Sequence, residues 1–438
     1  MTTYFKEDPY LFTEDYVGGV PFYYKHIATA PCVHIRIVFD YGAMHDEPGF
    51  EGAAHLLEHT MLKGSDLIED EKAYQEFSKK YTLGTANAST SLYKLQLTGK
   101  CLPQHIEHVL NVYFASIISP KFDHEAVESE KKVIIQEFWR YYTNETYLKY
   151  VNDLRVNNLF EFPDYLRTNN IIGWVDTIQK NTFKDLKKAK EKFLVKNNLR
   201  IFVAGNLEKL EDIKKIINSN LEKMILGEKS IAPVVPSTIE KPKQNMYESK
   251  YIDIGLGDEE QAGIEAEIII PKFDCVSNLK KIATQHLLVM VINDLVYEKL
   301  RTENKLCYSA GAGTGSRVTF QSVYIQSKLN PEYIEKSISL IKEIIEGVSD
   351  GIFEDKFNKN KELIIDRFIS SERVTNDILD SAVNSYINYD HNLLLNDLID
   401  AMEKVTYQDT VEFSKEYLPV DKFVFEILKP KTIKTTIA

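Results

Sequence analysis

Hydrophobic and polar residues alternate along Val33-His34-Ile35-Arg36-Ile37-Val38-Phe39, the period of a half-buried strand. The turn Asp46-Glu47-Pro48-Gly49 leads into a helix whose apolar side is Leu56, Leu57, Met61 and Leu62 and which Gly64 ends. The pattern then predicts helices near 72–81 and 103–118, with a strand between them near 86–98. A long helix follows from about Asp123 to Tyr142, with further helical segments to Lys196 and a strand from Leu199 to Ala204. From Gly227 to about Tyr247 no period is sustained. Pro233, Pro236 and Pro242 stand there among Ser, Lys and Glu, which marks a linker.

Beyond the linker the pattern repeats. Thr182-Phe183-Lys184-Asp185 leads through a helix to Phe193-Leu194 and a strand, and Thr406-Tyr407-Gln408-Asp409 leads through a helix to Tyr417-Leu418 and the strand Phe423 to Leu428. Both landmarks are displaced by 224 residues with no gap, so the chain holds two copies of one domain rather than a solenoid. The second copy has a strand at Ile264 to Ile270 and a long helix from about Val276 to Leu300. That helix carries His286-Leu287-Leu288-Val289-Met290. The fold expected is α+β: two homologous domains, each a mostly antiparallel sheet covered by helices. The boundaries are 1–226, a linker at 227–247, and 248–438.

Composition narrows the partners. A chain of 438 residues with 44% hydrophobic and 27% charged residues is ordinary for a globular protein and can bury a large core. The net charge of −12 argues against nucleic acid or an anionic membrane as partner. The dispersed cysteines Cys32, Cys101, Cys275 and Cys307 read as free thiols of a reducing compartment. Residues 1–8 lack the apolar run of a signal peptide, and no run approaches the ~20 residues of a membrane span, so a cytoplasmic location is expected.

The candidate chemistry lies in His55-Leu56-Leu57-Glu58-His59, which reads H-x-x-E-H. At i and i+4 of a helix both imidazoles leave one face with Cβ atoms ~5–6 Å apart, a spacing from which both can reach one zinc ion. Glu58 lies on the same side. A zinc ion that lowers the pKa of its water to ~7, beside a carboxylate that takes the proton, makes a hydrolytic nucleophile. His105 and His108 have no adjacent base and read as surface residues. A third ligand is needed, and Glu128, Glu130 and Glu137 on the long helix are the candidates. Glu130 and Glu137 share a face but stand ~10.5 Å apart along it, so one should ligate and the other orient the site.

The motif, followed 78 residues after His59 by a glutamate in Val133-Ile134-Ile135-Gln136-Glu137, resembles the pitrilysin/insulinase family of zinc peptidases, the inverzincins. Asp40-Tyr41-Gly42-Ala43, Gly52-Ala53-Ala54, Met61-Leu62-Lys63-Gly64-Ser65 and Thr85-Ala86-Asn87-Ala88-Ser89-Thr90 resemble further family segments, so the likeness spans nearly the whole chain. It implies one Zn2+ per chain held by His55, His59 and Glu137. Glu58 would be the base and Glu130 a supporting residue, and the Asn87-Ala88 strand would bind the substrate backbone. By the internal repeat, His286-Leu287-Leu288-Val289-Met290 stands where the first copy has its motif, so the second domain has lost the base and the second ligand and is expected to carry no zinc.

Arg301 and Tyr308 resemble the family's distal pair. Read alone, an arginine ending a helix satisfies its last carbonyls and a tyrosine opening a strand is core. The resemblance implies instead donors to a developing acyl oxyanion, supplied in trans within a clamshell-like homodimer that encloses peptide substrates. The glycine-rich Ala310-Gly311-Ala312-Gly313-Thr314-Gly315 lacks the strand–turn–helix setting of a nucleotide loop. The function expected is a zinc endopeptidase acting on oligopeptides or unfolded segments. The alternative is a non-catalytic or partner-dependent subunit of a processing-peptidase-like complex. Manganese or cobalt remain open as native metals.

Overall fold

A computed structural model describes residues 4–121, 123–141, 170–231, 246–252, 261–316, 318 and 320–430. The first half builds a sheet from β1 (Thr13–Val17), β2 (Val20–His26), β3 (Val33–Phe39), β4 (Asn87–Thr90), β5 (Leu95–Cys101) and β6 (Leu199–Gly205). The second half builds one from β7 (Met246–Ile252), β8 (Ala262–Pro271), β9 (Cys307–Ser316), β10 (Phe320–Leu329) and β11 (Val424–Pro430). The spatial orders are β1-β2-β6-β3-β5-β4 and β7-β11-β8-β10-β9. Apart from the extra β1, the two orders are the same when the strands are read in chain sequence. One pair in each is parallel, β2 with β6 and β7 with β11, and the rest are antiparallel.

The helices of the first half are α1 (Ala53–Met61), α2 (Glu71–Tyr81), α3 (Ile106–Ile118), α4 (His124–Tyr141), α5 (Val175–Lys180), α6 (Phe183–Phe193) and α7 (Leu210–Leu221). Those of the second are α8 (Leu279–Val296), α9 (Ile334–Asp350), α10 (Glu354–Ser370), α11 (Thr375–Tyr389), α12 (Leu395–Lys404) and α13 (Tyr407–Tyr417). The repeated T-x-x-D segments start α6 and α13 with the same capping box. Asp185 donates its N–H to Thr182 Oγ1 and accepts the Thr182 N–H at 3.0 Å, and Asp409 and Thr406 do likewise at 3.2 and 2.7 Å. Each half has its own apolar core, one around Ile35, Leu56, Leu97 and Phe114, the other around Ile268, Leu287, Ile325 and Ile341.

Several sequence expectations need correction. The strand expected near 86–98 is the hairpin β4–β5, because Ser91 and Lys94 close a tight turn, with the Ser91 N–H donating to Lys94 O at 2.8 Å. The helix expected to reach Leu300 ends at Val296 and passes into a π-helical segment, Tyr297–Glu303, that carries Arg301. Residues 232–245 of the expected linker lie outside the described residues, and its last two belong to β7. The segment from Tyr4 to Tyr10 packs on the second half as well as on the first, where Lys25 Nζ donates to Asp8 O at 3.1 Å. The Phe5 N–H donates to Asn396 Oδ1 at 3.1 Å, and Asp8 Oδ2 accepts the Asn396 N–H at 2.7 Å.

Helix α11 joins the halves. Its Leu379, Ala382, Val383 and Tyr386 bury against Tyr23, Val38 and Phe202 of the first sheet, where a fully buried Leu or Val is worth about 1.5–3 kcal/mol. Arg36, buried in that sheet, donates to Asp380 Oδ1 at 2.9 Å and Asn376 Oδ1 at 2.6 Å.

Candidate metal centre

The motif helix α1 starts without a Ser, Thr, Asp or Asn cap. Gly52 takes that place at φ 93°, where a Cβ would meet Ile172 O at 2.6 Å. The carboxylate of Asp46 caps the helix from a distance, accepting the N–H of Gly52 at 2.9 Å and of Ala54 at 3.0 Å, with Tyr41 Oη donating at 3.2 Å. Burial pushes Asp46 up to about 7, against those backbone bonds. Leu56, Leu57 and Met61 enter the core and leave His55, Glu58 and His59 on the flank. Helix α4 packs on α1, burying Val127, Ile134 and Phe138 and turning Glu130 and Glu137 to the histidines.

His55, His59 and Glu137 each bring one ligand atom to within 4.8 Å of the others, the one such His/Cys/Asp/Glu group among the described residues. His55 Nε2 lies 3.9 Å and His59 Nε2 3.6 Å from Glu137 Oε2. Tetrahedral zinc with bonds of ~2.0–2.2 Å needs ligand separations of about 3.3–3.6 Å, so these two separations need contract by only a few tenths of an ångström. Glu130 Oε2 stands 3.1 Å from His59 Nδ1, which assigns the proton to Nδ1 and leaves the Nε2 lone pair facing Glu137. Lys63 Nζ neutralises the far side of Glu130 at 2.9 Å and reaches Glu71 at 2.7 Å. His55 Nδ1 is buried with no hydrogen-bond partner among the described residues. The donor set and its spacing fit a borderline-soft divalent ion.

The electrostatics agree with that fit. Burial and the charge of His59 pull His55 down to about 3, so its imidazole is neutral. Burial would lower His59 too, but Glu130, Glu58 and Glu137 outweigh it and raise its pKa. Burial raises Glu58, opposed by a hydrogen bond from Thr90 and by His59. The Thr90 hydroxyl, at the end of β4, donates to Glu58 Oε2 at 2.8 Å.

The structure thus brings His55, Glu58, His59, Glu130 and Glu137 together. Asn87 and Ala88 lie on β4, the edge strand of the first sheet, Asn87 exposed and the Ala88 side chain buried. Arg301 and Tyr308 lie elsewhere, at the edge of the second sheet. The guanidinium stacks 5.0 Å from the Tyr308 ring and 5.2 Å from that of Tyr297, and Tyr308 is 73% exposed. Sequence reasoning gave no role to Thr90, Lys63 or Asp46. Lys63 is four residues past His59, a helical spacing that could have flagged it. Nothing local ties Thr90 to Glu58 or Asp46 to Gly52.

Comparison with known proteins places this geometry. A family model described as Insulinase (Peptidase family M16) matches residues 22–165, and one described as Peptidase M16 inactive domain matches 180–364. A Helicobacter pylori protein named non-peptidase homolog YmxG is 24% identical, over 94% of this chain and 92% of its own. The uncharacterized zinc protease YmxG of Bacillus subtilis is 24% identical over 46% of this chain and 48% of its own. Among solved structures, the M16 inactive domain from Pseudomonas fluorescens superposes with a TM-score of 0.80 at 16% identity, covering 97% of this chain and 98% of that one. The periplasmic protease PqqL of Escherichia coli superposes at 0.76 and 16% identity, over 97% of this chain but 49% of PqqL. The motif helix lies within the first matched segment and Arg301 within the second, and the chain belongs to the insulinase family, peptidase family M16.

Proposed function

We propose that this protein is a zinc-dependent endopeptidase that hydrolyses oligopeptides or unfolded segments. The convergence of His55, His59 and Glu137 beside Glu58 carries the reading. An ion held there supplies Lewis acidity and polarises water. Glu58, on the same helix face as the two histidines, takes the proton released on attack and passes it to the leaving amine. Thr90 fixes the carboxylate that does this, and Glu130 fixes the tautomer of His59. The substrate backbone lies as an added strand along β4 at Asn87 and Ala88.

Arg301 and Tyr308 supply donors to the acyl oxyanion of a second protomer. Two observations support assembly as a homodimer with that pair in trans. The Tyr308 ring, stacked by Arg301, is exposed at a sheet edge, and the chain corresponds to about half of PqqL.

A second reading has one specific observation behind it: the H. pylori relative that covers most of the chain is named a non-peptidase homolog. That reading makes this chain a non-catalytic or partner-dependent subunit. Against it stand the four residues of the motif and third ligand, all present here. Cleavage of a quenched peptide by the purified protein, abolished by chelator and restored by zinc, separates the two. No cleavage by the zinc-loaded protein would favour the second.

A further inference from the structure

Among the described residues, arginines that are not fully exposed find acceptors, with one exception. Arg36 donates to Asp380 and Asn376, Arg200 to Asp390 and Asp40, and Arg373 to the carbonyls of Ser371 and Phe368. Half-buried Arg301 has no hydrogen bond and no ion pair among the described residues. It has two aromatic faces instead. Its guanidinium carbon lies 5.2 Å over the Tyr297 ring and 5.0 Å over that of Tyr308. Rings hold a cation through their quadrupoles and leave its N–H groups unspent.

The backbone fixes the same group. Arg301 belongs to the π-helical segment Tyr297–Glu303 that follows α8, a widened turn of the kind found at functional sites. The Leu306 N–H donates to Leu300 O at 2.8 Å and the Asn304 N–H to Lys299 O at 3.3 Å. Between them Lys305 stands at φ 55°, the left-handed region that a residue with a Cβ rarely takes. The two acids of the segment are already taken, Glu303 by Lys299 at 2.8 Å and Glu298 by Lys356. The exposed Lys305 ammonium and the Tyr308 hydroxyl also have no partner among the described residues. Two cations and a phenol without acceptors thus stand where the edge strand β9 begins.

We propose that Arg301 binds a carboxylate of the peptide substrate, that of its C-terminus or of an acidic side chain. The proposal deepens the peptidase reading above and rests on it for the nature of the ligand. A guanidinium is a planar fork that meets a carboxylate with two parallel N–H bonds, and its weak hydration lowers the cost of doing so. A backbone carbonyl would use one N–H and leave the charge unanswered. Five N–H groups leave room for the acyl oxyanion too, with the Tyr308 hydroxyl beside it. The net charge of −12 repels acidic peptides at long range, so preference for a carboxylate has to come from a fixed cation such as this one.

Calorimetric titration of the full chain carrying Glu58→Gln, chosen to block turnover, tests this with three peptides. They are an acetylated alanine–leucine octapeptide with a free C-terminus, its C-terminal amide, and that amide with one central glutamate. The acid or the glutamate peptide should bind about tenfold or more tightly than the plain amide, and the one that does so identifies the source of the carboxylate. Arg301→Gln should erase the difference while leaving the affinity for the amide and the melting temperature unchanged. Arg301→Lys keeps the charge without the fork and should lose most of the difference. Four results would each overturn the proposal: equal affinity for all three peptides, a preference that survives Arg301→Gln, an equal loss for all three in that variant, or no saturation at millimolar peptide. Cleavage of a quenched amide peptide by the parent protein is read separately. A chain that cleaves without preferring carboxylates loses this proposal alone, and one that prefers them without cleaving loses only the peptidase reading.

Discussion

The two halves of this chain solve the same folding problem with the same strand order and capping boxes, yet only one collects metal ligands among the described residues. The motif helix shows why this is possible. Leu56 and Leu57 are fully buried, and so are Leu287 and Leu288 in the counterpart His286-Leu287-Leu288-Val289-Met290. Core packing fixes those positions, since a lost leucine side chain costs about 2–5 kcal/mol. The positions that hold chemistry in the first half, Glu58, His59 and Glu137, point off the core. In the second half Val289 joins the core and Met290 packs against it, and the architecture stands. Fold and chemistry therefore occupy different faces of the same helices, and one can be lost without the other.

That contrast can be broken most forcefully at the base. Glu58→Gln keeps the shape and the metal ligands, and peptide hydrolysis should fall by about 10²–10⁴ with metal content unchanged. Retained turnover would remove Glu58 from the mechanism. The next effect is expected at the far edge. Tyr308→Phe should lower kcat by about 10²–10³ with metal retained. Mixing that variant with Glu58→Gln should restore part of the activity if the tyrosine acts on a partner's site, whereas no restoration would place it within its own chain or outside catalysis.

A smaller effect sharpens the role of Glu130. Glu130→Gln weakens the acceptor on His59 Nδ1, and zinc affinity measured by competition with a chromophoric chelator should drop about 10–100-fold. The smallest concerns Asp46. Its pKa is about 7 in the folded chain against 3.8 for a free carboxyl, so the folded state holds the extra proton between those values and stability falls as pH rises through them. Asp46→Asn removes that loss at every pH, although its amide keeps only one of the two oxygens that accept the Gly52 and Ala54 N–H groups. The melting temperature of the variant, relative to the parent, should therefore rise from about pH 5 to about pH 8, and a pH-independent difference would contradict the assignment.

What could be read from the sequence follows from range. The face shared by His55, Glu58 and His59 is a helical spacing, and the duplication surfaces in the T-x-x-D capping boxes because both are local. Spacing alone left Glu130 and Glu137 equivalent, since both lie on one face of α4. Three-dimensional packing gives each a different nitrogen, with His59 Nδ1 facing Glu130 and His59 Nε2 facing Glu137. The docking of α11 was not legible either. Its stripe of Leu379, Ala382, Val383 and Tyr386 announces a buried face, but nothing in that stripe says it belongs to the other half's sheet. The Thr90–Glu58 bond spans 32 residues and depends on how the β4–β5 hairpin registers against α1.

The asymmetry between the halves is tested most directly by anomalous diffraction at the zinc edge from crystals grown with zinc. One peak per chain is expected, bonded by His55, His59 and Glu137, with none beside His286. An empty triad, or a peak beside His286 in its place, would contradict the account.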